Sequence, residues 1–146
     1  MKLILKITVP EHYQTIAAGF NKKLFLALAP PFPPIKLLRF DGCQTNDIVH
    51  LQLLGGIDWA SKITEHGATS QEIWFVDQGT TLPFFLTSWI HKHRIINQQK
   101  NTLIIEDITY KSPFLWLDYL LYPLLWLQFA YRIPIYKRYN WKNSPI

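Results

Sequence analysis

The stretch SWIHKHRIINQQKNTLIIEDITY, residues 88–110, predicts a pair of antiparallel strands. Two runs with three isoleucines each, residues 88–96 and 102–110, flank the polar segment NQQKN. β-Branched residues favour strands, and a short polar connection between two such runs is typical of a β-hairpin.

One face of the first strand carries three ring-bearing side chains. Trp89, His91 and His93 occupy alternate positions, and a strand places alternate residues on the same side. Across the turn, His93 is expected nearly opposite Glu106 or Asp107. The residues leave three roles open for the two histidines: zinc ligands, a general base paired with Asp107, or a structural hydrogen-bonded pair.

The structural role is the interpretation we prefer. Buried polar groups need partners, and a His93–Asp107 pair on neighbouring strands would satisfy both. Catalysis would instead use His91 or His93 as a base oriented by Asp107. Zinc would need further protein ligands at positions that no spacing in the sequence requires, so we predict no metal ion and no cofactor. The candidates for such further ligands are His50, His66, Asp107 and Cys43.

The segments before the hairpin continue the strand pattern. Four strand-like runs are separated by turn residues rather than by helices, which predicts an antiparallel meander. Asp77, close before Gly79, is expected in a turn. The four runs span residues 35–42, 47–56, 57–68 and 70–80.

The N-terminal third predicts a strand and two short helices. Residues 2–9, KLILKITV, form a strand that ends at Pro10, and the interruption by Lys6 argues against a signal peptide. Residues 10–34 then predict one or two short helices, broken near Gly19 because glycine and asparagine end helices. The prolines of APPFPP make the end of this segment a rigid loop.

A long helix is predicted at the C-terminal end. Ser112 can cap its start and Pro113 suits the first helical position, so we expect a helix from residue 113 to about residue 139. Pro123 is expected to kink it. The only charged residues between positions 114 and 135 are Asp118 and Arg132.

The apolar character of this helix raises the question of a membrane. The stretch is long enough to span a bilayer, but Pro123 and its two charges favour a helix that covers the sheet. Asp118 and Arg132 share one helix face and are expected to pair with polar groups of loops or strands. A helix that is apolar on most sides also implies a second contact, with a partner, a membrane surface or a ligand.

Composition and charge limit the classes of function. The chain has 146 residues, 49% of them hydrophobic and 17% charged, which indicates one folded domain over residues 1–146. Its net charge is +5, and four basic residues follow the last acid. They suit a solvated helix end or a membrane surface, whereas the absence of a dense basic cluster argues against nucleic-acid binding. These four residues are Arg132, Lys137, Arg138 and Lys142.

The single cysteine indicates the cellular compartment of the protein. One cysteine, Cys43, excludes an internal disulfide bond and indicates a reducing environment. We therefore expect a cytoplasmic protein.

Three motifs resemble the START/SRPBCC superfamily. WFVDQGTTLPFFLTSWIHKHRI at residues 74–95 resembles a segment of bacterial members with Trp-x-His-x-His after Pro-Phe. IEDITYKSP at 105–113 resembles their Asp-x-x-Tyr-x-x-Pro, and FAYRIPIYKRY at 129–139 is similar to their Phe-x-x-Arg. One departure is Leu82, which stands where the family usually has glycine.

The resemblance implies an α+β fold of the helix-grip type. In this fold a curved antiparallel sheet of about six to seven strands wraps around the long C-terminal helix, with two short helices after the first strand. The cavity between sheet and helix commonly holds lipids, sterols or polyketides, which implies a small apolar ligand as the partner. A polyketide cyclase or dehydrase-like enzyme is one alternative, and a membrane-associated or homodimeric module acting through the C-terminal helix is another.

The cavity is expected to have mainly aromatic and apolar walls. Tyr110 and Asp107 have opposite parity in their strand, so only one of them faces inward. The side chains expected to contact a ligand are Trp59, Trp74, Phe84, Phe85, Trp89, His91, His93, Tyr110, Leu121, Leu125 and Phe129.

Overall fold

The computed structural model, which describes residues 1–143, contains one seven-stranded antiparallel sheet. The strand order is β1-β7-β6-β5-β4-β3-β2, so β2 to β7 form a meander and β1 adds to its far edge. This arrangement confirms the predicted antiparallel sheet. The strands are β1 (Lys2–Val9), β2 (Ile35–Phe40), β3 (Ile48–Leu53), β4 (Ile57–Ala68), β5 (Glu72–Thr81), β6 (Ser88–Asn97) and β7 (Thr102–Lys111).

Two short helices follow β1, as predicted. Asn21 caps the second helix, because its Oδ1 accepts a hydrogen bond from the backbone N–H of Leu24 at 3.1 Å. A Cβ atom on Gly19 would lie 2.7 Å from the Trp141 ring, so glycine permits a close approach at this break. The helices are α1 (Tyr13–Ala18), α2 (Lys22–Leu28), α3 (Leu115–Ala130) and α4 (Arg132–Arg138), and a 3₁₀ turn follows at Trp141–Asn143.

The core lies between the inner face of the sheet and the helices. Strand β1 shows why: its residues alternate strictly between exposed and buried, with four apolar side chains facing inward. Leu125, Phe129 and Tyr136 of the C-terminal helices join the same buried cluster. Each such fully buried side chain contributes about 1.5–3 kcal/mol, so covering the sheet is a principal source of stability.

The curvature of the sheet has local causes. The pairing register shifts between Leu37 and Arg39 of β2, and twice more where β4 pairs with β5. Such bulges bend a strand and increase its twist. The sheet therefore curves towards α3 and α4, which confirms the helix-grip architecture.

The C-terminal helix differs in detail from the prediction of one continuous helix. It consists of α3 and α4, separated at Tyr131. Pro134 explains the break, because a proline ring excludes the carbonyl four residues earlier, here that of Ala130, and offers it no N–H. Pro123 lies within α3, which continues on both sides of it.

The start of α3 also differs from the prediction. The helix begins at Leu115, and Ser112 does not cap it. Instead, the backbone N–H of Ser112 donates to Asp118 Oδ1 at 2.6 Å, and the Ser112 hydroxyl donates to the Phe114 carbonyl at 2.7 Å. Asp118 thus pairs with the loop before its own helix, as expected of a buried polar group here.

Leu82 is accommodated by a nearby glycine. A Cβ atom on Gly79 would lie 2.4 Å from Leu82 Cδ2, so the absence of a side chain at Gly79 makes room for the leucine. Among the described residues, the non-glycine residues with positive φ are Asn46 and Gln99. Leu82 therefore fits without a strained backbone.

Much of α3 faces away from the core. Only Asp118, Leu125 and Phe129 of this helix are buried. In residues 1–143, no helix combines the length and the apolar character needed to cross a bilayer. We call the outward side the exposed helix face; it consists of Trp116, Tyr119, Leu120, Leu124, Trp126 and Leu127, which are 44–65% exposed.

Candidate functional site

A cavity of ≈ 150 Å³ lies between the inner face of the sheet and helices α2, α3 and α4. The rings of Trp59 and Trp89 meet edge to face at 4.9 Å on its wall. Phe129 of α3 approaches Trp89 from the helix side, with ring centroids 6.2 Å apart. Most of the remaining wall is apolar and includes Leu24, Phe25, Val49, Leu51, Ile63 and Phe75.

Two histidines and two carboxylates meet at one end of this cavity, and we call them the quartet. Asp77 pairs directly with His91 across β5 and β6, and His93 pairs directly with Glu106 across β6 and β7. Glu106 Oε2 lies 2.5 Å from His91 Nε2 and 3.0 Å from His93 Nδ1. Asp77 Oδ2 lies 3.2 Å from His93 Nε2 and 3.5 Å from His91 Nδ1.

The two imidazole rings of the quartet therefore lie between the two carboxylates. Their centroids are 3.7 Å apart, with an angle of 35° between the ring planes. His91 Nε2 and His93 Nε2 are within hydrogen-bonding geometry of Glu106 and Asp77 respectively. His93 Nδ1 is close to Glu106 without the angle of a hydrogen bond, so that contact is a charge contact only.

Glu106 is held from its other side by the C-terminal helix. The Tyr136 hydroxyl donates to Glu106 Oε1. Arg132 Nη1 lies 3.6 Å from the same oxygen, and the Arg132 guanidinium sits 4.2 Å from the centre of the Phe129 ring. Helix α4 thus fixes the carboxylate that β7 presents to the histidines.

The charges of the quartet depend on one another. Burial alone would lower the pKa of His93, but the charge of Glu106 and the hydrogen bond to Asp77 outweigh it and raise the pKa to about 9. Burial opposes ionisation of Glu106 and Asp77, yet the two histidines hold the pKa of both carboxyls below their usual ranges. Burial and the nearby His93 charge lower the pKa of His91. At neutral pH the quartet therefore has a charged His93, a neutral His91 and two carboxylates.

This arrangement supports two kinds of chemistry. The neutral His91 can accept a proton from a molecule in the cavity, with Glu106 behind it to stabilise the resulting charge. The same side chains could alternatively hold a metal ion, since one ligand atom each from Asp77, His91 and His93 lie within 4.8 Å of one another.

Five of the side chains expected to contact a ligand line the cavity. Trp59, Trp89 and Phe129 form part of its wall, and His91 and His93 belong to the quartet. Trp89, His91 and His93 thus share one face of β6, as their alternate positions predicted, and this face lines the cavity.

The other six lie elsewhere. Trp74 is on the outer face of the sheet, against Gly67, where its indole N–H donates to Glu65 at 2.6 Å. Phe84 is 80% exposed, and the Tyr110 hydroxyl donates to the Asp118 carbonyl at 2.7 Å. Phe85, Leu121 and Leu125 pack on or in the hydrophobic core without lining the cavity.

The predicted pairing of His93 with Asp107 is wrong. Asp107 faces the outer side of the sheet, where its carboxylate lies 3.4 Å from Lys2 Nζ. Glu106 is the carboxylate that faces His93, because Glu106 shares its parity with the buried Tyr110. The alternation of β7 contained this signal, since an inward Tyr110 requires an outward Asp107.

The placement of Asp77 in a turn is also wrong. Strand β5 continues to Thr81, so Asp77 lies inside it and shares the inward face with Phe75. Its proximity to Gly79 suggested a turn, but the side chain hydrogen-bonds to His93 instead. Tyr136 and the residues of α2 were not among the expected site residues, because no local pattern relates them to β6.

The proposed extra zinc ligands do not join the quartet. His50 pairs with Asp58 at 3.1 Å, and His66 lies 3.4 Å from Gln44. Cys43 lines the cavity, and its thiol is within 3.4 Å of the Phe20 carbonyl. Burial raises the pKa of the Cys43 thiol to about 12, which keeps it protonated.

Comparison with known proteins identifies the fold. A protein described as a nucleoside-diphosphate sugar epimerase from Corynebacterium glutamicum matches with a TM-score of 0.65 and 17% identity, over 90% of this chain but only 28% of its own length. Norcoclaurine synthase from Thalictrum flavum, in complex with dopamine and hydroxybenzaldehyde, matches with a TM-score of 0.59 and 11% identity over 96% of this chain and 88% of its own.

An aromatase/cyclase from Streptomyces sp. R1128 matches with a TM-score of 0.62 and 12% identity, over 92% of this chain and 89% of its own. No protein-family profile and no curated protein sequence matches the chain. At these identities the neighbours show the fold alone. The chain has the helix-grip fold that its motifs implied, and it shares this fold with these proteins.

Proposed function

We propose that this protein binds a small, largely apolar molecule in the cavity between its sheet and its C-terminal helices. The observation that carries the proposal is an apolar cavity with four titratable side chains converging at one end. Ligand sites in proteins combine these two features: apolar walls supply most of the contact, and a few polar groups fix the orientation.

The size of the cavity limits the ligand to about one ring. An apolar protein cavity of about 150 Å³ accommodates a benzene molecule. The present cavity is of the same size, at ≈ 150 Å³. A sterol or a polycyclic polyketide would not fit wholly inside it, so we infer a monocyclic or similarly compact ligand.

The polar side chains at this end of the cavity set the polar requirement of the ligand. Arg132 lines the cavity, and its Nε is buried without a hydrogen-bond partner among the described residues, so a ligand without a polar group would leave it unsatisfied. A hydroxyl or carbonyl oxygen on the ring would accept a hydrogen bond from this N–H. The structural neighbour in complex with dopamine and hydroxybenzaldehyde supports a ligand of this type, since both are single rings with polar substituents.

Nuclear magnetic resonance of the tryptophan indoles tests the proposal. The chain has six tryptophans, of which Trp59 and Trp89 line the cavity. Titration of ¹⁵N-labelled protein with monocyclic phenols and aldehydes should shift the indole N–H signals of these two residues. The signal of Trp74 should stay unchanged, because its indole binds Glu65 on the outer face.

The result that would contradict the proposal is equally specific. If none of the monocyclic compounds shifts Trp59 and Trp89, the cavity does not take this class of ligand. If Trp116 and Trp126 of the exposed helix face shift instead, the compounds bind to the protein surface.

The neutral protonation state of His91 favours catalysis as a second candidate function. A neutral imidazole that lines a cavity and has a carboxylate 2.5 Å behind it meets the requirements for a general base. The reaction would be proton abstraction from a bound ligand, as expected of a cyclase or dehydrase. Replacement of His91 by Gln should then abolish turnover of a ligand while the Trp59 and Trp89 signals still report its binding.

The exposed helix face favours a further role, contact with an anionic membrane surface. Soluble proteins seldom expose a contiguous apolar patch of this kind without a function. Asp118 is the only acid between positions 108 and 142, and it is buried, whereas Lys111, Lys137, Arg138 and Lys142 are exposed. An anionic lipid surface complements these charges, while a second copy of the chain would bring like charges together.

A further inference from the structure

We propose that Asp77, His91 and His93 form a binding site for a divalent first-row transition-metal ion, with Zn²⁺ as the representative. The inference rests on the geometry of the quartet and does not depend on the identity of any ligand. It departs from the expectation of no metal, because the sequence placed Asp77 in a turn and not on the strand beside the histidines.

The distances between the three side chains suit a metal ion. Asp77 Oδ2 lies 3.5 Å from His91 Nδ1 and 3.2 Å from His93 Nε2. Zinc ligands at about 2.0–2.2 Å from the ion, arranged tetrahedrally, lie about 3.4 Å from each other. An ion could therefore occupy the space between the carboxylate and the two rings, displacing the proton that His93 carries in the ion-free protein.

The sheet holds the three ligands in place. Asp77 and His91 are direct partners in the ladder between β5 and β6, and His93 follows on the same face of β6. All three side chains line the cavity, so a remaining coordination position would face it. Three protein ligands with one open position are the pattern of catalytic rather than structural zinc sites.

Glu106 provides the support that metal-binding histidines usually have. The nitrogen of each ring that faces away from Asp77 faces Glu106 Oε2. His91 Nε2 does so in hydrogen-bond geometry at 2.5 Å, and His93 Nδ1 makes a charge contact at 3.0 Å. Histidine ligands commonly donate their second N–H to a carboxylate, which fixes the ring and leaves the other nitrogen free for the metal. Tyr136 and Arg132 in turn hold Glu106.

The donor set predicts which ions bind. Two imidazole nitrogens and one carboxylate oxygen suit Zn²⁺, Fe²⁺ and related ions, whereas Mg²⁺ and Ca²⁺ prefer oxygen ligands alone. The competing account of the same geometry is a purely protonic network, in which His93 carries a proton between the carboxylates and no ion binds.

Calorimetric titration of chelator-treated protein distinguishes these two accounts. We expect one Zn²⁺ per chain, a rise in Tm on addition of Zn²⁺, and no binding of Mg²⁺. Asp77→Asn and His91→Gln should weaken Zn²⁺ binding about 100-fold or more, and Glu106→Gln about 10–100-fold. The matched control is His50→Gln, which removes a histidine that also pairs with an aspartate, 3.1 Å away, outside the quartet.

A measurement on the wild-type protein tests the inference even if one of the variants does not fold. In ¹⁵N spectra of the histidine rings, Zn²⁺ should shift the signals of His91 and His93 and leave His50 unchanged. The inference is overturned if the wild-type protein binds no stoichiometric Zn²⁺, or if His50 responds and the other two do not. It is also overturned if folded Asp77→Asn and His91→Gln proteins bind Zn²⁺ as the wild type does.

Discussion

Glu106 is the residue on which the polar end of the cavity depends. It is only 1% exposed, yet it stays ionised because His91, His93, Tyr136 and Arg132 surround it. A buried charge of this kind is costly when it is alone and acceptable when it is fully partnered. Its neighbour Asp107 has the same charge but lies on the outer face, 3.4 Å from the exposed Lys2.

These two adjacent acids give a matched pair of substitutions. Glu106→Gln should lower the free energy of unfolding by about 3 kcal/mol, because it removes one of the two carboxylates that surround the buried His93 imidazolium. Asp107→Asn should change it by less than about 0.5 kcal/mol, since an exposed ion pair contributes little. Urea unfolding of the chelator-treated proteins measures both values.

Equal losses of stability in the two variants would contradict the assignment of Glu106 as the inward acid. A larger loss of stability in Asp107→Asn would contradict it too, because that is the result expected if His93 paired with Asp107. The comparison therefore checks the register of β6 and β7 at the site directly.

The residues of β6 could be predicted from the sequence, whereas their partners could not. Alternation alone placed Trp89, His91 and His93 on one face. The hairpin turn left a choice between Glu106 and Asp107, and only the inward position of Tyr110 settles it. Asp77 was missed because a nearby glycine resembled a turn signal, although β5 continues past it.

Helix α3 is the element whose role extends beyond the core. Three of its residues are buried, while the exposed helix face carries two tryptophans, a tyrosine and three leucines. Aromatic side chains of this kind concentrate at membrane–water interfaces. Lys137 and Arg138 follow in the last turn of α4, at the end of the same helical segment.

Vesicle sedimentation tests whether this face contacts membranes. We expect binding to vesicles that contain anionic lipid and little binding to neutral ones. Lys137→Gln with Arg138→Gln should weaken the binding roughly 30-fold, because each basic residue near an anionic surface contributes about 1 kcal/mol. Leu120→Ser with Leu127→Ser should weaken it on both kinds of vesicle by removing apolar contact.

The control for the charge change is Lys22→Gln with Lys23→Gln, two adjacent exposed lysines of α2. Equal sedimentation with neutral and anionic vesicles, or with neither, would contradict the membrane role. The protein alone could also sediment as a dimer. If Leu120→Ser with Leu127→Ser abolished this dimer, a second copy of the chain would be the partner that covers the exposed helix face.

The types of the helices and strands could be predicted better than the residues at which they end. Both short helices, the strands and a long apolar helix follow from local patterns such as the break at Gly19–Asn21. The end of α3 did not, because two prolines in the same stretch act differently: Pro123 is tolerated within α3, whereas the helix breaks three residues before Pro134. Which proline interrupts a helix depends on packing, which a local pattern does not contain.

At the scale of the whole molecule, the fold creates the cavity, and packing between segments that are distant in sequence supplies its polar side chains. The order of elements was enough to predict a curved sheet around a C-terminal helix. The polar end of the cavity combines β5, β6, β7 and α4, segments that are distant in sequence. No local pattern relates Tyr136 to Glu106, which is why this part of the site appeared only in the structure.

Small molecules retained by the protein from its native cells test the central claim, that the cavity binds a compact apolar ligand. Wild type and two variants would be purified from those cells, denatured, and their released compounds identified by mass spectrometry. Val49→Phe places a ring into the cavity, whereas Ile90→Phe adds one to the outer face of β6. We predict that wild type and Ile90→Phe release the same compact, ring-sized compound and that Val49→Phe releases little of it. Equal amounts from all three proteins, or no compound enriched in wild type over Val49→Phe, would contradict the account.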